Sequence, residues 1–161
     1  MNTKKLFISI LFIGIQITNG QNQSDTIDHT QEHIQFINTF YIEYISRPDV
    51  PDQKKRMEIL RKYCASNLID KITLMWKNRE LDYDPFIFAQ DIWTGVLKYL
   101  KVEKYGTQKN VYEVSYHYLN QDDNDRVRIR LEVTNTPDGF KVSHIISVYD
   151  PEVGLHYPLG R

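Results

Sequence analysis

An α+β fold, with helices first and an antiparallel sheet after them, is what this sequence predicts. Three observations carry that prediction. Apolar residues recur at helical spacing up to about residue 78. From about residue 96 onward, apolar and polar residues alternate. Clusters of Gly, Pro, Asn and Asp separate the alternating runs. When helices and strands are segregated in this way, the helices pack on one face of the sheet.

A leader stands before both halves. Lys4 and Lys5 precede a nearly continuous apolar run from Leu6 to Ile17, and Thr18-Asn19-Gly20 follows it. That is the layout of a signal peptide over residues 1–20, cut after Gly20. A membrane-spanning helix needs about 20 apolar residues, so this run is too short to serve as an anchor. No Cys follows it to take a lipid. The expected product is exported, periplasmic or extracellular, with no stable membrane anchor. Residues 21–25 read as a disordered leader, 26–150 as a single α+β domain and 151–161 as a C-terminal tail.

The helices come next. Ile27, Ile34, Ile37, Tyr41 and Ile45 share one stripe of a helix capped by Thr26 and running to about Ser46. Phe36 and Phe40 lie off that stripe, so the helix should be covered on more than one side. Arg47-Pro48-Asp49-Val50-Pro51 ends it, because Pro lacks the N–H and disfavours a helical residue before it. A second helix from near Pro51 buries Met57, Leu60 and Cys64 beneath a basic surface of Lys54, Lys55, Arg56, Arg61 and Lys62. A third, capped by Ser66 and ending near Asn78, buries Leu68, Ile72, Met75 and Trp76.

Strands are expected over 86–89, 96–104, 111–118, 126–134 and 140–149, with turns at Gly106, at 120–125 and at Pro137-Asp138-Gly139. Tyr112, Val114, Tyr116 and Tyr118 share one face, as do Val127, Ile129, Leu131 and Val133. Both sets must point to the same side, and a one-residue slip would reverse one of them. Of the two registers that remain, one opposes Glu113 to Glu132 and the other opposes Glu113 to Arg130. The second replaces repulsion with attraction and is preferred. Arg126, Arg128 and Arg130 then form a row on the opposite face.

Several segments resemble a known family. They are Arg61-Lys62-Tyr63-Cys64, Leu81-Asp82-Tyr83-Asp84-Pro85-Phe86, Ala89-Gln90-Asp91, Val111-Tyr112-Glu113-Val114-Ser115-Tyr116 and Gly139-Phe140-Lys141-Val142. Over about residues 34–148 the chain resembles the exported bacterial family called domain of unknown function 3828. That family is similar to the cystatin-like or nuclear-transport-factor-2-like superfamily. The resemblance implies a cone-like arrangement, with N-terminal helices on a curved antiparallel sheet and often a pocket. It implies no reaction and transfers no catalytic residue, because fold alone does not decide function.

Composition narrows the possible functions. Of 20 Lys and Arg, Lys4 and Lys5 fall in the leader; the rest set 18 against 21 Asp and Glu, a net charge of −3. An acidic chain is not a general nucleic-acid binder. Cys64 is the sole cysteine, so neither an intrachain disulfide nor a Cys-ligated zinc site can form. Its place on the Met57–Leu60 stripe marks a packed thiol, despite the basic Arg61 and Lys62 beside it. Asp122-Asp123-Asn124-Asp125 lacks the Gly and the closing Glu of a calcium loop and reads as a solvated turn. No metal or cofactor is expected.

Candidate binding residues are Trp76, Tyr83, Asp84, Gln90, Asp91, Trp93, Tyr116 and His144. The acidic cluster of Asp82, Asp84 and Asp91 with Gln90 falls at the junction of helices and sheet. His144 alternates with Phe140, Val142, Ile146 and Val148 and is expected to face inward. Arg126, Arg128 and Arg130 are candidates for meeting an acidic partner surface. The leading expectation is a noncatalytic exported module for an unknown small ligand or protein partner, the ligand lying between helices and sheet. One alternative is an envelope immunity protein against a toxic effector, bound through the arginine row. Another is a small hydrolase, dehydratase or isomerase using Asp91 and His144.

Overall fold

A computed structural model describes residues 28–46, 53–89, 94–117, 126–150 and 155–159. The leader, residues 21–25, Gln90, Asp91, Trp93, Tyr118 and the 120–125 turn lie outside the described residues. Among the described residues, three helices precede five strands, and no helix is long and apolar enough to cross a membrane.

Helix α1 (Thr30–Ile45) buries His33, Ile37, Phe40, Tyr41, Tyr44 and Ile45. These positions spread beyond a single stripe, so α1 is covered on more than one side, as Phe40 suggested. Asp28 accepts from the backbone N–H of Thr30 at 3.0 Å at its N-terminus. Helix α2 (Gln53–Tyr63) places Ile59, Leu60 and Tyr63 in the core, with Cys64 just beyond. Helix α3 (Ser66–Lys77) buries Leu68, Ile69 and Ile72, while Met75 and Trp76 pack partly against the core. The residue at its N-terminal cap is Ala65, in extended conformation; Ser66 is already helical and is not the cap. After α3, Arg79 takes a left-handed φ of 59°. The Glu80 N–H then reaches Met75 O and the Arg79 N–H reaches Trp76 O, which satisfies the last carbonyls of the helix.

The sheet is a five-stranded antiparallel meander in the order β1 (Lys101–Lys104), β2 (Val111–His117), β3 (Arg126–Thr136), β4 (Gly139–Asp150), β5 (Leu155–Pro158). Tyr112, Val114 and Tyr116 face Leu131, Ile129 and Val127, and Glu113 pairs with Arg130, the register preferred on charge. Val114, Ile129, Leu131, Val133, Val142 and Val148 are fully buried. Burying side chains of this kind contributes about 1.5–3 kcal/mol each.

Three segments differ from the sequence expectation. Residues 86–89 are no strand: they form a tight turn closed by a single Asp84–Ala89 bridge, with Phe88 at a φ of 42°. Phe86, Ile87 and Ala89 of this turn are buried in the main core, Phe86 against Phe40 and Tyr44 of α1, so hydrophobicity there reports packing and not strand pairing. The 96–104 segment splits. Thr94–Tyr99 is a 3-10 helix, and only Lys101–Lys104 joins the sheet. The expected tail contributes β5, which pairs with the end of β4. Four residues carry too short a pattern to distinguish a strand from a tail.

Strand β5 covers only Ser147 to Asp150 of β4. Part of the remaining edge is met by the α2–α3 connection, where Ala65 N–H donates to Val142 O at 2.9 Å. Lys141 Nζ donates to the carbonyls of Lys62 at 2.6 Å and Arg61 at 3.2 Å, which supplies a cation to the C-terminal end of α2. An otherwise open strand edge is thereby partly closed.

Candidate functional site

The side chains that meet at one open cleft come from α2, α3 and the segment after α3. Arg56, Trp76, Leu81, Asp82, Tyr83 and Asp84 line a volume of about 330 Å³. Three of them, Trp76, Tyr83 and Asp84, were expected binding residues. Trp76 Nε1–H donates to Tyr83 O at 3.3 Å, which ties the end of α3 to the following segment. The Tyr83 ring meets Phe88 edge-on at a centroid distance of 4.8 Å.

Asp84 anchors the inner side of the cleft and is nearly inaccessible. Its Oδ2 takes the Tyr44 hydroxyl at 2.6 Å and an Arg56 guanidinium nitrogen at 2.9 Å. Its Oδ1 takes the Phe86 N–H at 2.9 Å. Burial pushes the Asp84 carboxyl above its ordinary range, opposed first by the Arg56 charge and then by these hydrogen bonds. Burial, followed by the Asp84 charge, pushes the Tyr44 phenol well up, so it stays protonated and donates. Asp84 therefore organises the cleft rather than presenting a free carboxylate. Asp82, by contrast, is exposed at the rim.

Arg56 belongs to the residues that make α2 strongly basic, and it is not among the expected binding residues. The signal that placed it was helical spacing: Arg56, Leu60 and Cys64 are successive turns apart, which puts Arg56 on the buried stripe. Its side chain is 22% exposed, and its Nε has no hydrogen-bond partner.

Of the remaining expected residues, Tyr116 and His144 are elsewhere, and Gln90, Asp91 and Trp93 fall outside the described residues. Tyr116 is a core residue whose hydroxyl donates to Ile87 O. His144 does not face inward. Irregularities in the β3–β4 register on either side of Leu131–Glu132 change the alternation and then restore it, so Ile145 is buried while His144 and Ile146 are exposed. His144 pairs with Glu132 at 3.3 Å and borders a small cavity of about 70 Å³ between α3 and β4. The space between α1 and the sheet, where a ligand was expected, holds Phe40, Tyr41, Tyr112 and Tyr116, all fully buried.

The arginine row is held by its neighbours. Arg130 Nε donates to Glu113 at 3.0 Å, and its guanidinium lies 4.0 Å from the Tyr105 ring centre. Arg128 lies 5.3 Å from the Tyr149 ring centre, and Arg126 reaches His117 at 3.0 Å. Cys64 is buried, and burial pushes its thiol far above the reactive range. Among the described residues, no three His, Cys, Asp or Glu gather as a metal site.

Comparison with known proteins finds a fold relative. A crystal structure of a protein of unknown function from Bacteroides thetaiotaomicron VPI-5482 is similar, with a TM-score of 0.64 and 27% identity. The similarity covers 76% of this chain and 94% of that one. No family model matches the chain, and neither does any curated protein.

Proposed function

We propose that this chain is an exported, noncatalytic binding module whose ligand occupies the cleft between Arg56, Trp76 and Tyr83. The observation that carries this reading is the cleft itself. Aromatic side chains from two consecutive segments flank a guanidinium fixed by a buried carboxylate, and the whole opens to solvent. The exposed lining is mostly polar, so the cleft suits a ligand held chiefly by hydrogen bonds. Export rests on the leader, and kinship with the domain of unknown function 3828, with its cone-like fold, rests on the sequence resemblance. A reaction at Asp84 is disfavoured because its carboxylate is already engaged by three donors.

Native mass spectrometry of the protein purified from its producing cells tests the reading. The expected result is a copurified small molecule that is absent from the Trp76→Ala variant. A ligand retained equally by that variant would move the site elsewhere and defeat the proposal.

A further inference from the structure

We infer that the ligand of this cleft is a neutral saccharide, an inference that rests on the binding reading above and narrows it. Charge is the first argument. The cleft holds three charged groups, Arg56, Asp82 and Asp84. Arg56 is 2.9 Å from Asp84 and the two offset each other, so exposed Asp82 leaves a net negative charge. An anionic ligand would be repelled.

Desolvation is the second argument. A wholly apolar ligand would remove water from Asp82 and from the Arg56–Asp84 pair and return no hydrogen bond, a heavy cost. An organic cation would gain Asp82 but offers no acceptor to the Arg56 guanidinium, which only donates.

A polyhydroxylated neutral ring meets all these conditions. Its hydroxyls donate to the Asp82 carboxylate, which accepts only, and accept from the Arg56 guanidinium, which donates only. Its C–H groups suit the smaller apolar part of the lining, to which Trp76 and Tyr83 contribute. The volume of about 330 Å³ is at the small end of ligand sites and suits a mono- or disaccharide.

An array of neutral mono- and disaccharides, followed by saturation-transfer NMR on the intact secreted protein, tests the inference. Tetramethylammonium and acetate serve as charged probes. The expected result is a saccharide with a dissociation constant of about 1 mM or tighter, weakened about tenfold or more by Asp82→Ala and by Trp76→Ala. Asp82 is exposed, so its variant keeps the fold and decides the matter even where Trp76→Ala disturbs packing. No saccharide response, or one indifferent to Asp82→Ala, overturns the inference. If tetramethylammonium alone binds and depends on Asp82, the saccharide is wrong and the binding cleft stands. If no probe binds and native mass spectrometry also finds no ligand, both readings fail.

Discussion

Near the N-terminus of α1, His33 is buried between Tyr112 of β2 and Asn135 of β3; near its C-terminus, Tyr44 reaches Asp84, which also holds Arg56 of α2. Both arrangements tie α1 to the rest of the domain through buried polar groups. The first joins His33 to two uncharged partners, Tyr112 and Asn135. Asn135 Oδ1 only accepts, so His33 Nε2 donates to it at 2.9 Å, and His33 Nδ1 lies 2.8 Å from the Tyr112 hydroxyl. The second is a buried ion pair, and its contribution depends on keeping both charges together. Replacing both partners of such a pair is often mild, whereas removing one leaves a charge without compensation.

The largest expected effect follows from that asymmetry. Arg56→Met should destabilise the fold by about 3–5 kcal/mol in urea unfolding near neutral pH, because Asp84 keeps its burial and loses its cation. The pH dependence has a definite sign. A carboxyl raised by burial is costlier to ionise in the folded than in the unfolded state. Its favourable contribution is therefore full below the ordinary carboxylate range and is lost as pH rises through the raised folded value. Removing Arg56 raises that value further. The deficit of Arg56→Met should thus shrink toward acid pH, where Asp84 is protonated in both proteins. A deficit that stayed constant across that range would show that packing, not charge, sets it.

His33→Leu should cost less, about 1–2 kcal/mol by the same measurement, since it takes a hydrogen-bond partner from the buried Tyr112 hydroxyl, while exposed Asn135 turns to water and no charge is stranded. A loss as large as that of Arg56→Met would erase the proposed difference between the two networks. His144→Ala should have the smallest effect, within about 0.5 kcal/mol, because the residue is 57% exposed and its Glu132 contact is a surface pair. A substantially larger loss would mean that His144 belongs to the core after all, as simple alternation along β4 suggested.

The β2–β3 pair was legible in advance because its side chains alternate without interruption and a single charge choice, Glu113 against Arg130, selects the register. Along β4 the same rule failed between Val142 and Val148. Two irregularities that offset each other leave no trace in composition, so the pattern on either side looks continuous. At 84–89 and 94–99 the apolar residues occupy a turn and a 3-10 helix, where burial has no strand period. The cleft was half legible. Trp76, Tyr83 and Asp84 were singled out, but Arg56 was hidden in a basic run whose helical phase was the only clue.

By itself the sequence determined the order of helices before strands, the inward faces of β2 and β3 and the burial of Cys64. All of these follow from local periodicity, which is set by backbone geometry within a few residues. The tertiary structure alone decided which way His144 points, that β5 extends the sheet, and that Arg56 meets Asp84 across 28 positions of chain. Those outcomes depend on contacts between distant segments, where the cost of burying a charge or leaving a strand edge open is settled only once the partners are in place.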